Sequence, residues 1–163
     1  MSKILVFDGE TGQQIERDAT PDEQAEIDQR EAEASSADTI KINLKAQIAQ
    51  LRWEKETAGI TLNGMPIATD RESQALLTGA FCRALQDPAI TINWKGANGE
   101  FIQLGKDDIN TISAAVGKYV EDCFNAEMLH NQTVDALTSP ADLFAYNMHE
   151  GWPSNAITLP NTP

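Results

Sequence analysis

Two Asn-Gly pairs, Asn63-Gly64 and Asn98-Gly99, constrain this chain more than any other feature. A tight type I′ hairpin turn needs positive φ at both central positions, and Asn-Gly supplies that at least steric cost. β-prone runs flank each pair: Gly59 to Thr69 around the first, Ile90–Trp94 and Phe101–Leu104 around the second. A helical pattern follows each hairpin. Leu76, Leu77, Ala80, Phe81, Ala84 and Leu85 form one apolar face, and Ile109, Ile112, Val116, Val120 and Cys123 the other. The block from Arg52 to Leu137 therefore reads hairpin, helix, hairpin, helix. It predicts an α+β fold in which the two β-hairpins form one small antiparallel sheet packed by helices over 70–86 and 107–137.

Finer expectations follow from local chemistry. Thr69 and Glu72 have the spacing of a capping box, which makes Thr69 the expected N-cap of the first of these helices. Pro66 lacks an amide donor and marks a free strand edge. A four-residue loop over 96–99 would set Lys95 opposite Glu100 and Trp94 opposite Phe101. Gly117 would admit a close neighbouring helix.

Ahead of the block, Ile40, Leu44, Ile48 and Leu51 fall on one helical face. An amphipathic helix packing on its own domain and an oligomerising helix both fit this stripe, which is too short to define a coiled coil. Further upstream, Lys3–Phe7 and Gln13–Glu16 flank a turn over Asp8–Gly12, and Thr20-Pro21-Asp22-Glu23 opens a helix with a second capping box. Past the block, Ser139-Pro140 starts a short helix. Gly151-Trp152-Pro153 breaks the pattern, and an extended arm carries Ile157, Leu159, Pro160 and Pro163. The expected organisation is an acidic N-terminal arm over 1–38, an α+β domain with its lead-in helix over 39–137, and a short helix plus extended arm over 138–163. The protein-interface candidates are Ile40, Leu44, Ile48, Leu51, Trp152, Ile157 and Leu159.

Charge bounds the partners. The 163 residues hold 12 Lys and Arg against 25 Asp and Glu, a formal net charge of -13. Such a chain repels phosphate backbones and anionic lipid heads, so neither nucleic acid nor membrane is expected. Residues 1–38 alone hold eleven acids and three bases. That segment reads as a solvated, partly disordered arm or as an acidic docking arm for a basic partner. No apolar run is long enough to span a bilayer, and Lys3–Phe7 is too short for the core of a signal peptide. The two cysteines, Cys82 and Cys123, sit in apolar-periodic helices and read as buried free thiols, with a disulfide between the helices as the other possibility.

The chain is poor in chemistry. His130 and His149 lack a ligand set at metal spacing, Glu127 and His130 being the nearest pair. Asp107-Asp108 and Glu121-Asp122 are adjacent carboxylates that point in different directions on a helix. Asp8-Gly9-Glu10-Thr11-Gly12 lacks the closing ligand of a calcium loop. No catalytic residue, cofactor or metal is expected, and the chain reads as non-enzymatic. Of the three tryptophans, Trp53 follows the helical stripe, Trp94 reads as core, and Trp152 is the interface anchor.

Arg52, Glu56, Gly59-Ile60, Asn63-Gly64, Thr69-Asp70, Ser73-Gln74, Trp94-Lys95, Gly99, Val120, Phe124 and Glu127 form a recognisable set. Over about residues 52–137 the chain resembles the phage-associated domain of unknown function numbered 4376, found in tailed-phage and prophage genomes, often in tail-fibre or fibre-assembly proteins. The first residues also look like the start of phage tail-fibre assembly proteins. The resemblance implies no catalytic residues. It implies a structural protein of the tail tip, baseplate or fibre-attachment region, or a tail-fibre assembly chaperone absent from the mature virion. The implied partners are tail or tail-fibre proteins and further copies of the chain, a trimer among the symmetric arrangements. The implied location is the host cytoplasm during assembly and the virion tail for a structural protein.

Overall fold

The computed structural model describes residues 2–9, 12–96 and 99–159. The elements run β1 (Lys3–Phe7), β2 (Gln14–Asp18), α1 (Pro21–Ala34), α2 (Ala37–Thr57), β3 (Ile60–Leu62), β4 (Met65–Ile67), α3 (Arg71–Gln86), β5 (Thr91–Lys95), β6 (Phe101–Gly105), α4 (Lys106–Ala136), α5 (Pro140–Phe144) and β7 (Ala156–Ile157). The fold is α+β, with small sheets and five helices among the described residues.

Local chemistry sets most of the element starts. Thr20 accepts the Glu23 amide while the Glu23 carboxylate accepts the Thr20 amide, closing the expected capping box at α1. Ser36 caps α2 and Ser139 precedes Pro140 at the first turn of α5. Asn63 (φ 48°) and Gly64 (φ 84°) make the two-residue turn that sets Leu62 opposite Met65.

The N-cap of α3 is Asp70, whose carboxylate accepts the Ser73 amide, and not Thr69. Thr69 is buried one residue earlier, where its hydroxyl bonds to backbone groups of other elements.

The hairpins remain separate ladders. Among the described residues β5 and β6 pair only with each other, and β4–β3 acquires β7 as a parallel third strand on the far edge of β3. The register of the second hairpin also differs from the expected one: Lys95 faces Phe101, Trp94 faces Ile102 and Ile92 faces Leu104. The pleat explains the difference. This register puts Ile92, Trp94, Ile102 and Leu104 on one face toward the core, whereas the expected one, a residue away, would send half of them outward. The Gly96 amide donates to the Glu100 carbonyl and the Gly99 amide to the Gly96 carbonyl, with Gly99 at φ 84°. Ala97 and Asn98, which complete the expected loop, lie outside the described residues, as do Glu10 and Thr11 in the first turn and residues 160–163.

Two cores share one long helix. In the first, Ile60, Leu62, Ile67, Leu77, Ala84, Ile90 and Leu104 pack on Ile109, Ile112, Val116, Tyr119 and Cys123 of α4. In the second, Ile40 and Ile48 of α2 pack on Val134 near the end of α4 and Leu143 of α5. Lys45 Nζ lies 2.6 Å from Asp135 Oδ1 and Lys41 Nζ donates to the Asp135 carbonyl at 2.9 Å, which fixes the start of α2 beside the end of α4.

Several single residues depart from expectation. Leu76 and Leu85 are exposed, leaving Leu77, Ala80 and Ala84 as the inward face of α3. Cys82 is exposed on the outer face of that helix while Cys123 is buried, and both are free thiols. A Cβ on Gly117 would meet nothing within 4 Å, so no neighbour approaches it closely.

Candidate functional site

α2, α3 and α4 meet at a buried charge, the Glu56 carboxylate, which is 0 % exposed. Arg52 stands one helical turn before Glu56 on α2, so its guanidinium Nη1 reaches Glu56 Oε2 within the helix. Its Nε donates to Glu127 Oε2 on α4 at 2.9 Å. From α3, Arg71 Nη1 lies 2.8 Å from Glu56 Oε1, and Gln74 Nε2 approaches the same oxygen at 3.4 Å. Two carboxylates and two guanidiniums thus close on one another. Burial alone would lower the Arg52 pKa, but its hydrogen bonds to Glu56 and Glu127 outweigh that and raise it.

Aromatic rings roof this cluster. The Arg52 guanidinium carbon sits 4.5 Å from the ring centre of Phe124, and that of Arg71 sits 5.0 Å from the ring of Trp53. Below it, the Thr69 hydroxyl donates to the Glu56 carbonyl at 2.6 Å and accepts the Gly59 amide at 2.9 Å. Gln74 Nε2 donates to the Thr69 carbonyl at 2.6 Å. Gly59 has φ 92°, and a Cβ there would lie 3.0 Å from the Ile67 carbonyl oxygen. The Tyr119 hydroxyl donates to the Lys55 carbonyl at 2.9 Å. Burial, with the neighbouring Cys123 thiol, pushes the Tyr119 pKa well above the usual tyrosine range. Burial likewise raises that of Cys123.

Chemically, the arrangement is saturated. Both Glu56 oxygens accept from cations, and Arg52 spans two carboxylates. The four side chains thereby clamp α2, α3 and α4 together, with Arg71 half exposed at the rim. Among the described residues no three metal-ligating side chains converge.

A second polar cluster lies beside the second core. His130 of α4 is buried. Its Nδ1 is 2.6 Å from the Tyr146 hydroxyl, and its ring stacks on Trp152 at 5.0 Å between centres. The Trp152 indole N–H donates to the Met148 carbonyl at 2.8 Å. Gly151, at φ 81°, carries the chain around His130.

The interface candidates thus meet surfaces of their own chain. Ile40 and Ile48 are buried in the second core, with Leu44 and Trp152 packed against it. Leu51 is half-buried and lines a cleft with Met148 and His149. Ile157 and Leu159 pack on the first core. There the Thr61 and Asn63 amides donate to the Asn155 and Ile157 carbonyls, and Leu159 N–H donates to Asn63 Oδ1. The arm over 152–159 is a strap joining both cores. The signal for this was Asn63, whose side chain holds the strap as well as making the turn.

The residues of the ion cluster coincide with much of the set singled out in the sequence: Arg52, Glu56, Gly59, Thr69, Gln74, Phe124 and Glu127 all meet here. The family model described as a domain of unknown function (DUF4376) matches residues 39–147. The chain belongs to this family. The DUF4376 domain takes in α2 through α5 and so contains the whole Glu56 cluster and most of both cores. The β1–β2 hairpin, α1 and the strap flank it. No curated protein and no solved structure matches the chain.

Proposed function

We propose that this DUF4376 protein is a non-enzymatic structural component of a bacteriophage tail, built into the tail tip, baseplate or fibre-attachment region. The observation that carries the reading is the contrast between its satisfied interior and its uncovered N-terminal unit. Glu56, Arg52, Arg71 and Glu127 are consumed in holding three helices together. The β1–β2 hairpin, by contrast, leaves Leu5 (69 % exposed) and Phe7 (67 %) in the open, with no third strand beside it among the described residues. A lone two-stranded hairpin is marginal in water, and an uncovered strand edge invites another chain. Such a unit suits a protein completed by neighbours in an assembly, and the likeness of the domain to tail-associated phage proteins supplies the setting. The protein is then made in the host cytoplasm and ends in the virion tail. The same uncovered hairpin, set beside the acidic α1, also suits a tail-fibre assembly chaperone.

Mass spectrometry of purified virions tests the proposal, with this chain quantified against the major tail proteins. A fixed stoichiometry, such as a multiple of three or six, is the expected result. Absence from virions, with the chain bound to a fibre protein in infected-cell lysate, would replace the structural role with the chaperone role.

A further inference from the structure

A cleft of about 600 Å³ opens between α3 and the β5–β6 hairpin. Leu76, Arg83, Trp94, Lys95 and Phe101 line it, and no carboxylate is among its lining residues. In a chain with twice as many acids as bases, that is an unusual surface. Arg83 and Lys95, like Lys41, Lys55 and Lys106, form no ion pair with a described carboxylate, whereas Arg17, Lys45, Arg52, Arg71 and Lys118 are all paired. The apolar walls are uncovered too: Leu76 is 59 % and Phe101 71 % exposed. The cleft combines free positive charge with open aromatic and aliphatic surface.

The complementary surface lies on the same molecule. On one face of the β1–β2 hairpin, Leu5 stands opposite Glu16 and Phe7 opposite Gln14. The bases of this unit are used internally, Lys3 on Asp18, Arg17 on Glu23 and Arg30 on Glu26, which leaves its surplus carboxylates uncompensated. Two open apolar side chains beside Glu16, on a unit of net negative charge, match what the cleft lacks.

Within one copy, β1, β2 and α1 make no substantial contact with α3, β5 or β6. β6 runs directly into the start of α4 and holds the cleft there. The junction of α1 with α2 lies beside Asp135, at the other end of α4. We infer that the acidic hairpin–helix unit of one copy seats in the cationic cleft of a second copy, head to tail. Leu5 and Phe7 cover Leu76, Trp94 and Phe101, and Glu16 with its neighbouring acids meets Arg83 and Lys95. A head-to-tail contact of this kind closes into a ring or runs on as a filament, according to the rotation per copy.

This inference rests on reading the chain as an assembly component, but its test uses the purified protein alone. Virion stoichiometry and self-association can therefore fail separately. Two variants of the full chain are needed: Arg83→Glu/Lys95→Glu, which spoils the cleft, and Leu5→Asp/Phe7→Asp, which spoils the unit. All four sites are at the surface or rim, and circular dichroism and melting curves check that each variant is folded. If the charge reversal fails that check, Arg83→Gln/Lys95→Gln takes its place. In sedimentation velocity the wild type is expected to self-associate, less so at high salt. Each variant alone should associate at least about tenfold more weakly. Mixed, the two should form a one-to-one dimer and nothing larger, because the mixture contains one intact unit and one intact cleft. A wild type that stays monomeric at about 1 mM would overturn the inference. So would either variant associating as the wild type does, or a mixture that fails to pair.

Discussion

Glu56 is the residue on which the DUF4376 domain turns. A buried carboxylate is costly to desolvate, and it persists here because Arg52 and Arg71 both close on it. Glu56→Gln keeps the shape but removes the charge, leaving two guanidiniums with one fewer counter-ion. Breaking a buried pair by removing one partner is strongly destabilising, so urea denaturation should show a loss of about 3 kcal/mol. Part of this cluster was legible in the sequence, since Arg52 and Glu56 have the i,i+4 spacing of a helical ion pair. Glu127 was not, because it lies 75 residues from Arg52 and only the packing of α2 on α4 brings it in. Thr69 shows a different failure. Its position fitted an N-cap, but a hydroxyl that can bond two buried backbone groups is worth more there than at a solvent-facing helix start, where Asp70 does the capping.

Among the elements, starts were read more reliably than neighbours. The capping box of α1, the Asn63-Gly64 turn and Pro140 in the first turn of α5 depend on residues within a few positions of each other. The register of β5–β6 depends on which face meets the core, and the alternation of Ile92 and Trp94 with Ile102 and Leu104 carried that information. Ile157 and Leu159 marked an extended arm, but two residues of strand are too few to show which strand they would pair with.

The α1 cap gives a pH test at this scale. The Arg17 side chain first, and then the Thr20 amide, hold the Glu23 carboxyl down to about 2, against an ordinary 4.5. A depressed carboxylate contributes stability that is fully present above its unfolded value and is lost as pH falls through its folded one. The cap should therefore hold at pH 4.5 and give way near pH 2. An NMR titration should find the Glu23 midpoint there in the wild type, and higher in Arg17→Gln.

Viewed whole, the molecule is two cores threaded by α4 and tied by a strap from Trp152 to Leu159. Trp152→Ala removes the ring stacked on His130 and leaves a gap between strap and second core, at a cost of about 2–3 kcal/mol. Because the strap is continuous, its loosening should be felt at β3. In native-state hydrogen exchange of this variant, the Thr61 and Asn63 amides should lose protection more than those at the centre of α4. An unchanged ratio would mean that the two ends of the strap are held independently.

The way α2 sits has a consequence for how the chain reaches this state. Lys45 finds Asp135 ninety residues later, and the stripe of Ile40 and Ile48 has no apolar cover until Val134 and Leu143 exist. On the ribosome, α2 is therefore an orphan until α4 and α5 emerge, exposed to whatever apolar surface is nearby. Contacts this distant in sequence slow folding, and the interval before they form is when aggregation threatens. The acidic segment made just before α2 travels with it through that interval, and its like charges keep nascent chains apart.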